Sequence, residues 1–540
     1  LRPLQDEAVF LMEVSPMCGF MFAQGTIDAT KFLKGFNTIS HRGPDQSRIL
    51  TEDFGTFGFH RLSIMDVSEN GMQPFVTPDY ILMCNGEIYN EQQLKKTFYN
   101  YPFISRSDCE TILPLYNKFG RYMCKYLDAE FAFVLYDRNK QMTLAARDPI
   151  GIRPMFYGEI KGSEKLAFAS EAKSLIPLCD NIKPFPIGTL YYGGEWIKYS
   201  DITETTEILH DMDDILTRIN IGLTEAVKKR MMSDVPIGYL LSGGLDSSLV
   251  CALAAKYAES PITTFAIGMK SDAIDLKYAR MVAKKINSRH YEAIMTVEDV
   301  IAALPYVIYH LESYDITTVR ASIGMYLLCK YINQHSEVKV LLTGEISDEL
   351  FGYKYTDFAP SAESFMEESK KRMRELFMYD VLRADRCIAA WSLEARVPFG
   401  DIAFVKDVMA IDGKLKMNTS GKGKFLLRKA FEDENLLPLE ILWREKAAFS
   451  DAVGHSMVDE LKKAADRMYT DGDLKNAKDK YPHCTPFTKE ALWYRDIFEK
   501  FYPDKADWIS AYWMPNPKWE GCNVSDPSAR VLNNYGDSGK

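Results

Sequence analysis

The sequence predicts two domains of different fold class: α+β with antiparallel sheets, then α/β with a parallel sheet. Residues from Cys18 to about Glu195 run in short β-rich pieces separated by frequent turns, a pattern typical of stacked antiparallel strands flanked by helices. From about Ile215, apolar strands alternate with long amphipathic stretches, the pattern of a parallel sheet covered by helices. Two domains are also expected because 540 residues exceed what one hydrophobic core usually organises.

Local composition places the individual elements and the domain boundaries. The charged segment Tyr199–Asp214 is the natural seam, so we expect one domain over 18–205, a second over 215–525 and a mobile polar tail over 526–540. Alternation and turn residues predict first-half strands over Phe54–Ile64, Tyr80–Cys84, Phe131–Asp137 and Met142–Arg147, then second-half strands over Val235–Leu241, Ile262–Ile267 and Val338–Leu342 with helices over Leu249–Tyr257 and Leu276–Ile286.

Composition excludes several classes of protein. There is no run of eighteen apolar residues, which argues against a membrane span. The net charge of -10 argues against a nucleic-acid partner, because such proteins normally carry a clustered basic face. The ten cysteines show no C-x-x-C pair and no zinc spacing, and Leu1–Pro16 lacks the basic start of a secretory signal. A cytoplasmic protein in a reducing compartment is therefore expected.

Met17-Cys18-Gly19 is the most informative local feature. A cysteine directly after a methionine can become the first residue of a chain, and its α-amine then titrates near ~8. Such an amine can take the thiol proton, so one residue supplies both nucleophile and general base. The alternative is a small buried core cysteine, the commonest role of this residue type.

Ser242–Ser248, with the sequence SGGLDSS, lies between a predicted strand and a predicted helix. Backbone N–H groups and hydroxyls at a helix N-terminus bind anions, so this turn predicts a phosphate site. It matches neither G-x-x-x-x-G-K-[ST] nor G-x-G-x-x-G, which disfavours kinase-like transfer and dinucleotide binding. The turn resembles the pyrophosphate loop of ATP pyrophosphatases, which activate a carboxylate by adenylation.

Taken together, the motifs resemble those of the glutamine-hydrolysing asparagine synthetases, class II amidotransferases, from Met17 to about Arg530. The resemblance implies an N-terminal-nucleophile glutaminase domain and an ATP-pyrophosphatase-type synthetase domain. It rests on rare strings in the family's order, namely His41–Asp45, Arg61–Asp66, Asn85–Asn90, Ser107–Glu110, Arg147–Pro154, Ala169–Lys173, Ser242–Ser248, Thr343–Gly352, Glu394–Phe399, Arg444–Gly454 and Asp526–Arg530.

In the glutaminase half the resemblance implies that Cys18 attacks the amide of glutamine and forms a thioester, releasing ammonia. The Asn85 side chain and the Gly86 backbone N–H would bind the oxyanion, each donor worth roughly 3 kcal/mol in comparable sites. Three charged residues would bind free glutamine, a guanidinium taking the α-carboxylate and two carboxylates the α-ammonium. They are Arg61, Glu87 and Asp108. The histidines His41 and His60 are expected to be structural.

In the synthetase half the resemblance implies ATP, aspartate and an aspartyl-adenylate. Glu345 would assist adenylation or ammonia deprotonation, Lys446 would neutralise the transferring phosphate, and Asp246 and Asp348 would bind magnesium through oxygen ligands. Glu394 and Arg396 either line the aspartate site or pair with each other. The implied ATP-binding residues are Leu241, Ser242, Gly243, Gly244, Asp246, Ser247, Ser248, Ile267, Thr343 and Gly344. Residues near Arg42, Glu171 and Glu345 would lie at the ends of an ammonia passage.

The sequence departs from the family pattern at several positions. Sixteen residues precede Met17, yet the chemistry needs a free amine on Cys18, so residues 1–17 are expected to be absent from the mature enzyme. Ile346 stands where the family usually has glycine, and isoleucine is strained if that position has positive φ. Gly400 stands where leucine is frequent, and one glycine is missing after Phe351.

The resulting prediction is a ligase that makes asparagine and glutamate from aspartate, glutamine and ATP, releasing AMP and diphosphate. Its partners would be these small molecules and magnesium, with no tightly bound organic cofactor and, by resemblance, a homodimer. There are two alternatives. One is a lactam-forming synthetase, in which the cysteine is typically lost; the intact Cys18, Arg61, Asn85 and Asp108 argue against it. The other is a catalytically silent assembly or metabolite-sensing protein.

Overall fold

The computed structural model describes residues 18–271, 273–444 and 455–536. Within these ranges no helix combines the length and apolarity needed to cross a membrane. The two predicted fold classes are both confirmed, an antiparallel first half and a parallel second half.

The first half packs two six-stranded antiparallel sheets face to face, in the orders β10-β8-β9-β1-β3-β2 and β12-β11-β7-β6-β5-β4. Alternate residues of facing strands meet in one apolar layer, as Phe20 and Phe22 do with Ile81 and Met83. Its elements are β1 Gly19–Gln24, α1 Ala29–Asn37, β2 Gln46–Glu52, β3 Gly55–Arg61, β4 Phe75–Val76, β5 Tyr80–Ile88, α2 Glu91–Thr97, α3 Ile112–Phe119, β6 Ala129–Asp137, β7 Met142–Arg147, β8 Phe156–Ile160, β9 Leu166–Ala169, β10 Cys179–Pro184, β11 Thr189–Tyr192 and β12 Glu195–Lys198.

The second half is a five-stranded parallel sheet in the order β15-β14-β13-β16-β17, covered by helices. Its elements are α4 Met212–Arg230, β13 Ile237–Leu240, α5 Leu245–Tyr257, β14 Thr263–Met269, α6 Ile274–Lys285, β15 Arg289–Met295, α7 Val297–Leu311, α8 Ile316–His335, β16 Val340–Leu342, α9 Ser347–Phe351, α10 Ala362–Glu375, α11 Asp380–Ala389, β17 Glu394–Arg396, α12 Ile402–Met409, α13 Gly413–Lys416, α14 Phe425–Ala430, α15 Leu439–Leu442, α16 His455–Met468, α17 Asp471–Lys480 and α18 Lys489–Phe501.

The expected mobile tail differs from what the structure shows over residues 526–536. Asp526 pairs with Arg320 at 3.1 Å and with Lys462 at 2.9 Å, and Ala529 and Leu532 are buried. The composition of this segment is mostly polar, but its buried Ala529 and Leu532 and the Asp526 carboxylate pack against the second half. Residues 537–540 lie outside the described ranges.

Buried charges join the two halves. Glu130 of β6 pairs with Arg230 of α4 at 2.9 Å, and Arg42 pairs with Asp385 of α11 at 2.8 Å. All four residues are at most 2% exposed. Charges buried this completely need good hydrogen-bond geometry to offset their desolvation, so they specify how the halves fit together.

Candidate active sites

Cys18 lies directly before β1, between the two halves of the molecule. Its Sγ is 3.3 Å from the backbone N of Leu62 and 3.4 Å from the Leu62 carbonyl oxygen. The Arg42 Nε donates to the Cys18 carbonyl at 3.1 Å, which fixes the backbone of this residue. Burial raises the pKa of the Cys18 thiol to about 12. The thiol is therefore protonated at neutral pH, and a base must remove its proton during attack.

Asn85 and Gly86 are on β5, in the sheet that faces β1. The Asn85 side chain is fully buried, and neither its Nδ2 nor its Oδ1 has a hydrogen-bond partner among the described residues. A buried amide without a partner is costly unless a ligand completes it. A Cβ on Gly86 would lie 2.4 Å from the Glu130 carbonyl oxygen, so glycine is required here by the neighbouring strand β6.

Glu87 and Asp108 are buried carboxylates with raised pKa values. Burial is the main cause for both. Nearby carboxylates raise these pKa values further: Asp108 and Glu394 act on Glu87, and Glu394 acts on Asp108. Asp108 accepts from the Ile88 backbone N at 2.7 Å. Glu87 Oε1 pairs with Arg396 at 2.9 Å, while its Oε2 has no hydrogen-bond partner among the residues described. An ammonium group would relieve this excess of buried negative charge.

The Arg61 guanidinium is held by the loop that follows it. It donates to Gln46 Oε1 at 2.9 Å, to the Ser68 carbonyl at 2.7 Å and to the Asp66 carbonyl. Burial lowers the pKa of Arg61. Arg61 directly precedes Leu62, whose backbone contacts the Cys18 Sγ, and its guanidinium is oriented by the Ser68 and Asp66 carbonyls.

The two histidines of this half have structural contacts. His60 Nε2 is 3.1 Å from the Phe36 carbonyl, its ring stacks on Phe36 with centroids 3.7 Å apart, and burial lowers its pKa to about 4. His41 Nε2 is 3.2 Å from Glu171 Oε1. Both placements agree with the expected structural role.

A cavity of about 230 Å³ opens in the second half, where β13, β14 and β16 end. Gly243 and Ser248 do not line it: Gly243 has φ +75° with Ala279 N only 2.6 Å from where a Cβ would be, and Ser248 is fully buried. Both residues are therefore buried beneath the turn and do not face the cavity. The predicted residues that do line it are Leu241, Ser242, Gly244, Asp246, Ser247, Ile267, Thr343, Gly344, Glu345 and Asp348.

Lys424 joins the two carboxylates that were expected to bind magnesium. Its Nζ is 2.8 Å from Asp246 Oδ1 and 2.5 Å from Asp348 Oδ1, and Ser347 Oγ also donates to Asp246 at 2.8 Å. Sequence reasoning missed Lys424, which is one lysine in the string Ser420–Lys424.

The donor set at Asp246 and Asp348 fits magnesium with help from a phosphate. The described residues contain no group of three or more side chains suited to ligating a metal. Magnesium in nucleotide sites commonly uses one or two carboxylates and takes its remaining ligands from phosphates and water. Asp246 and Asp348, beside the turn that was predicted to bind phosphate, meet that requirement.

Glu345 Oε2 pairs with Arg383 of α11, and both side chains line the cavity. Arg444 closes another side, donating to the Gly243 carbonyl and to Asp275, each at 3.1 Å. Neither arginine was predicted. Lys446 lies outside the described residues, so its expected role stays a prediction.

The structure resolves the two alternatives for Glu394 and Arg396. Arg396 Nε donates to Glu394 Oε1 at 2.9 Å, so the two pair with each other. Arg396 also faces the first half, where it pairs with Glu87 at 2.9 Å, and neither residue lines the cavity. The aspartate-site interpretation is therefore not supported.

Ile346 has φ 79° and ψ -20°, so the strain expected for a β-branched residue at this position is present. The side chain is 2% exposed. A Cβ on Gly400 would lie 2.9 Å from Ile346 Cδ1 and 2.9 Å from Ile152 Cδ1. Two departures from the family pattern are thus neighbours, and the space left by Gly400 accommodates Ile346.

We expect Gly400→Leu to lower the free energy of unfolding by about 1–3 kcal/mol, because overpacking costs this much and would displace the loop carrying Glu345 and Asp348. Adding Ile346→Gly should recover most of the loss. Denaturant unfolding of the single and double variants measures this, with the exposed Gly472→Leu as control. Additive losses in the double variant would show that the two positions do not compensate each other.

Comparisons with known proteins cover nearly the whole chain. The family model "Glutamine amidotransferase domain" matches residues 17–191, and "Asparagine synthase" matches 218–371 and 357–524. The chain is 42% identical to the asparagine synthetase [glutamine-hydrolyzing] of Pongo abelii and 41% to that of Homo sapiens, each over 96% of this chain and 99% of the relative. The solved "structure of the allosteric regulatory enzyme of purine biosynthesis" is 14% identical with a TM-score of 0.31, covering 52% of this chain and 80% of that one.

Proposed function

The chain belongs to the glutamine-hydrolysing asparagine synthetase family, and from this premise we propose how its two sites work. The enzyme makes L-asparagine from L-aspartate and ATP with nitrogen from L-glutamine, releasing L-glutamate, AMP and diphosphate. Two observations in one chain support this: a half-buried Cys18 directly before β1 together with a buried Asn85 amide that has no partner among the described residues, and a cavity lined by Ser242, Ser247, Asp246 and Asp348.

In the first half, Cys18 Sγ attacks the side-chain carbonyl carbon of glutamine. The α-amine of Cys18 takes the thiol proton and passes it to the leaving nitrogen, so ammonia departs and a thioester forms. The Asn85 amide, which has no partner among the described residues, donates to the oxyanion. Arg61 binds the α-carboxylate, and Glu87 with Asp108 binds the α-ammonium. Water then hydrolyses the thioester to glutamate and restores the thiol.

This chemistry requires the α-amine of Cys18 to be free. We therefore propose that the mature enzyme lacks residues 1–17, which lie outside the described ranges. N-terminal sequencing of purified active protein tests the point directly. A protein that hydrolyses glutamine while its first residue is Leu1 would require a different base.

In the second half, an oxygen of the aspartate side chain attacks the α-phosphorus of ATP, and the bond to the diphosphate leaving group breaks. The turn around Ser242 and Ser247 holds the leaving diphosphate. Asp246 and Asp348 would hold magnesium, which supplies charge neutralisation on the phosphates. Ammonia then attacks the activated carbonyl, Glu345 takes a proton from the attacking nitrogen, and AMP leaves.

We also place the enzyme in the cytoplasm as a homodimer. All ten cysteines are in described positions and unpaired, which suits a reducing compartment. The dimer rests on family resemblance alone and is checked by sedimentation of the purified protein. A disulfide-bonded enzyme would contradict the cytoplasmic location, and a monomeric enzyme would contradict the homodimer.

Transfer of labelled nitrogen tests the whole function. With glutamine carrying ¹⁵N in its side-chain amide, plus aspartate, ATP and magnesium, we expect ¹⁵N in the amide of asparagine, one AMP per asparagine and no ADP. Unlabelled ammonium chloride in place of glutamine should also support synthesis. Absence of asparagine from both nitrogen sources would reject the proposal in favour of a silent binding protein.

A further inference from the structure

A second cavity, of about 320 Å³, lies in the second half next to the first one. Its walls come from the chain that follows α9, from α10 and α13, and from the C-terminal segment 534–536. It shares two lining residues, Tyr353 and Lys424, with the cavity at the ends of the strands. Its other lining residues have no part in the function proposed above, and its volume is that of a small-molecule pocket.

Lys416, the last residue of α13, brings a buried amine to this cavity. The residue is 6% exposed. Its Nζ donates to the Val408 carbonyl at 3.4 Å and lies 5.9 Å from the centroid of the Phe365 ring. Within the described ranges no carboxylate forms an ion pair with it, and burial lowers its pKa to about 7. Buried lysines are normally paired, so this amine is suited to a ligand that supplies the anion.

Two amide oxygens at the same cavity need hydrogen-bond donors. Asn418 Oδ1 and Asn534 Oδ1 are buried and have no partner among the residues that the structure describes. The orientation of the Asn534 amide is fixed by its Nδ2, which donates to the Lys354 carbonyl at 2.7 Å and to Asp357 Oδ2 at 3.0 Å. A buried acceptor without a donor is costly, and an ammonium group offers three donors.

Aromatic side chains supply apolar surface to the cavity. Phe351 and Phe365 line it and are 3% and 2% exposed, and Tyr353 and Tyr535 line it as well. Apolar and aromatic walls with a few polar groups are typical of a pocket that binds a small organic molecule. The ligand should therefore carry an apolar group besides its anion and its donors.

From these groups we propose that the second cavity is a binding site for an α-amino acid with an apolar side chain. Lys416 pairs with the α-carboxylate, and the amide oxygens of Asn418 and Asn534 accept from the α-ammonium. Phe351 and Phe365 contact the side chain of the ligand. A simple carboxylate would satisfy Lys416 but leave both amide oxygens without donors, and an amine would leave Lys416 without its anion.

The first test removes one charge of the ligand at a time. Titration calorimetry on the intact chain uses L-phenylalanine and L-leucine, then 3-phenylpropanoate, which lacks the ammonium, and 2-phenylethylamine, which lacks the carboxylate. We expect the amino acids to bind and each phenylalanine analogue to bind at least about tenfold more weakly than L-phenylalanine. A cavity that holds only water would give no binding of either amino acid, and that result would overturn the proposal.

The second test changes the cavity. Lys416→Met keeps the length of the side chain and removes the amine, and it should weaken L-phenylalanine binding at least about tenfold. Asn418→Ala should weaken L-phenylalanine but leave the weak binding of 3-phenylpropanoate unchanged. The matched control is Lys414→Met, an exposed lysine on the same short helix, which should bind as the unaltered chain does. Thermal midpoints check that each variant is folded. Binding that is equally strong in Lys416→Met would exclude this cavity as the site.

Proton uptake provides a readout that a structural role of Lys416 would not give. At pH 8 the Lys416 amine is mostly neutral, and a ligand carboxylate beside it favours the ammonium form and raises its pKa. Binding should therefore take up about one proton per ligand at pH 8 and almost none at pH 6. The other charged residues of the cavity, Lys354, Asp357 and Lys424, remain in Lys416→Met, where the uptake should disappear. Calorimetry in two buffers of different ionisation enthalpy measures it, and binding without uptake at pH 8 would overturn the pairing with Lys416.

Discussion

Cys18→Ala is expected to abolish glutamine-dependent asparagine formation, with a loss of at least about 10³-fold, while ammonium-dependent formation stays within about twofold of the unaltered enzyme. The reason is that the Sγ atom forms the thioester, whereas ammonium supplies nitrogen without it. The second site has its own cavity, and Cys18 does not line it. Asparagine is measured by chromatography with each nitrogen source in turn.

The matched control is Cys484→Ala, a half-buried cysteine far along the chain whose Sγ contacts His483 and the Ser510 carbonyl. It should leave both activities unchanged. Glutamine use that persists in Cys18→Ala would remove Cys18 as nucleophile. Loss of both activities would point to a folding defect. The elution volume and thermal midpoint of the variant would then show whether it is folded.

Sequence patterns predicted the sheets well because strand signals are local. Met142–Arg147 is a strand with the predicted bounds, and Phe131–Asp137 gained only two residues at its start. Helix α5 was expected to begin at Leu249 but begins at Leu245, because the polar turn that opens it resembles a loop. The packed tail at Asp526 was missed since its partner Arg320 is 206 residues away.

The candidate site residues show the same difference between local sequence signals and long-range contacts. Motifs located Asn85 and Asp246, because each stands in a rare string of adjacent residues. Lys424 could not be found this way, since only its contact with Asp246, 178 positions earlier in the sequence, brings it to the cavity. The strain at Ile346 was predictable from one substitution in a motif, but the space at Gly400 that accommodates it required the three-dimensional structure.

Asp246→Ala is expected to stop asparagine formation from glutamine and from ammonium alike, by at least about 10²-fold, while glutamine hydrolysis continues. Asp246 accepts from Lys424 Nζ and Ser347 Oγ, each at 2.8 Å, at the start of helix α5. Alanine would leave Lys424 with Asp348 as its nearby carboxylate and remove half of the proposed magnesium site. Adenylation then fails whichever nitrogen source is present.

The measurement is AMP and asparagine formation with each nitrogen source, alongside glutamate formation from glutamine alone. Retained glutaminase activity shows that the variant is folded, and the exposed Asp433→Asn serves as the matched loss of a carboxylate in the same half. Synthesis from ammonium at the unaltered rate would exclude Asp246 from the adenylation site. Cys18→Ala should thus lose glutamine use and keep synthesis from ammonium, whereas Asp246→Ala should lose synthesis and keep glutamine hydrolysis. Two sites that carry out separate chemistry, with ammonia passing from one to the other, require these opposite losses.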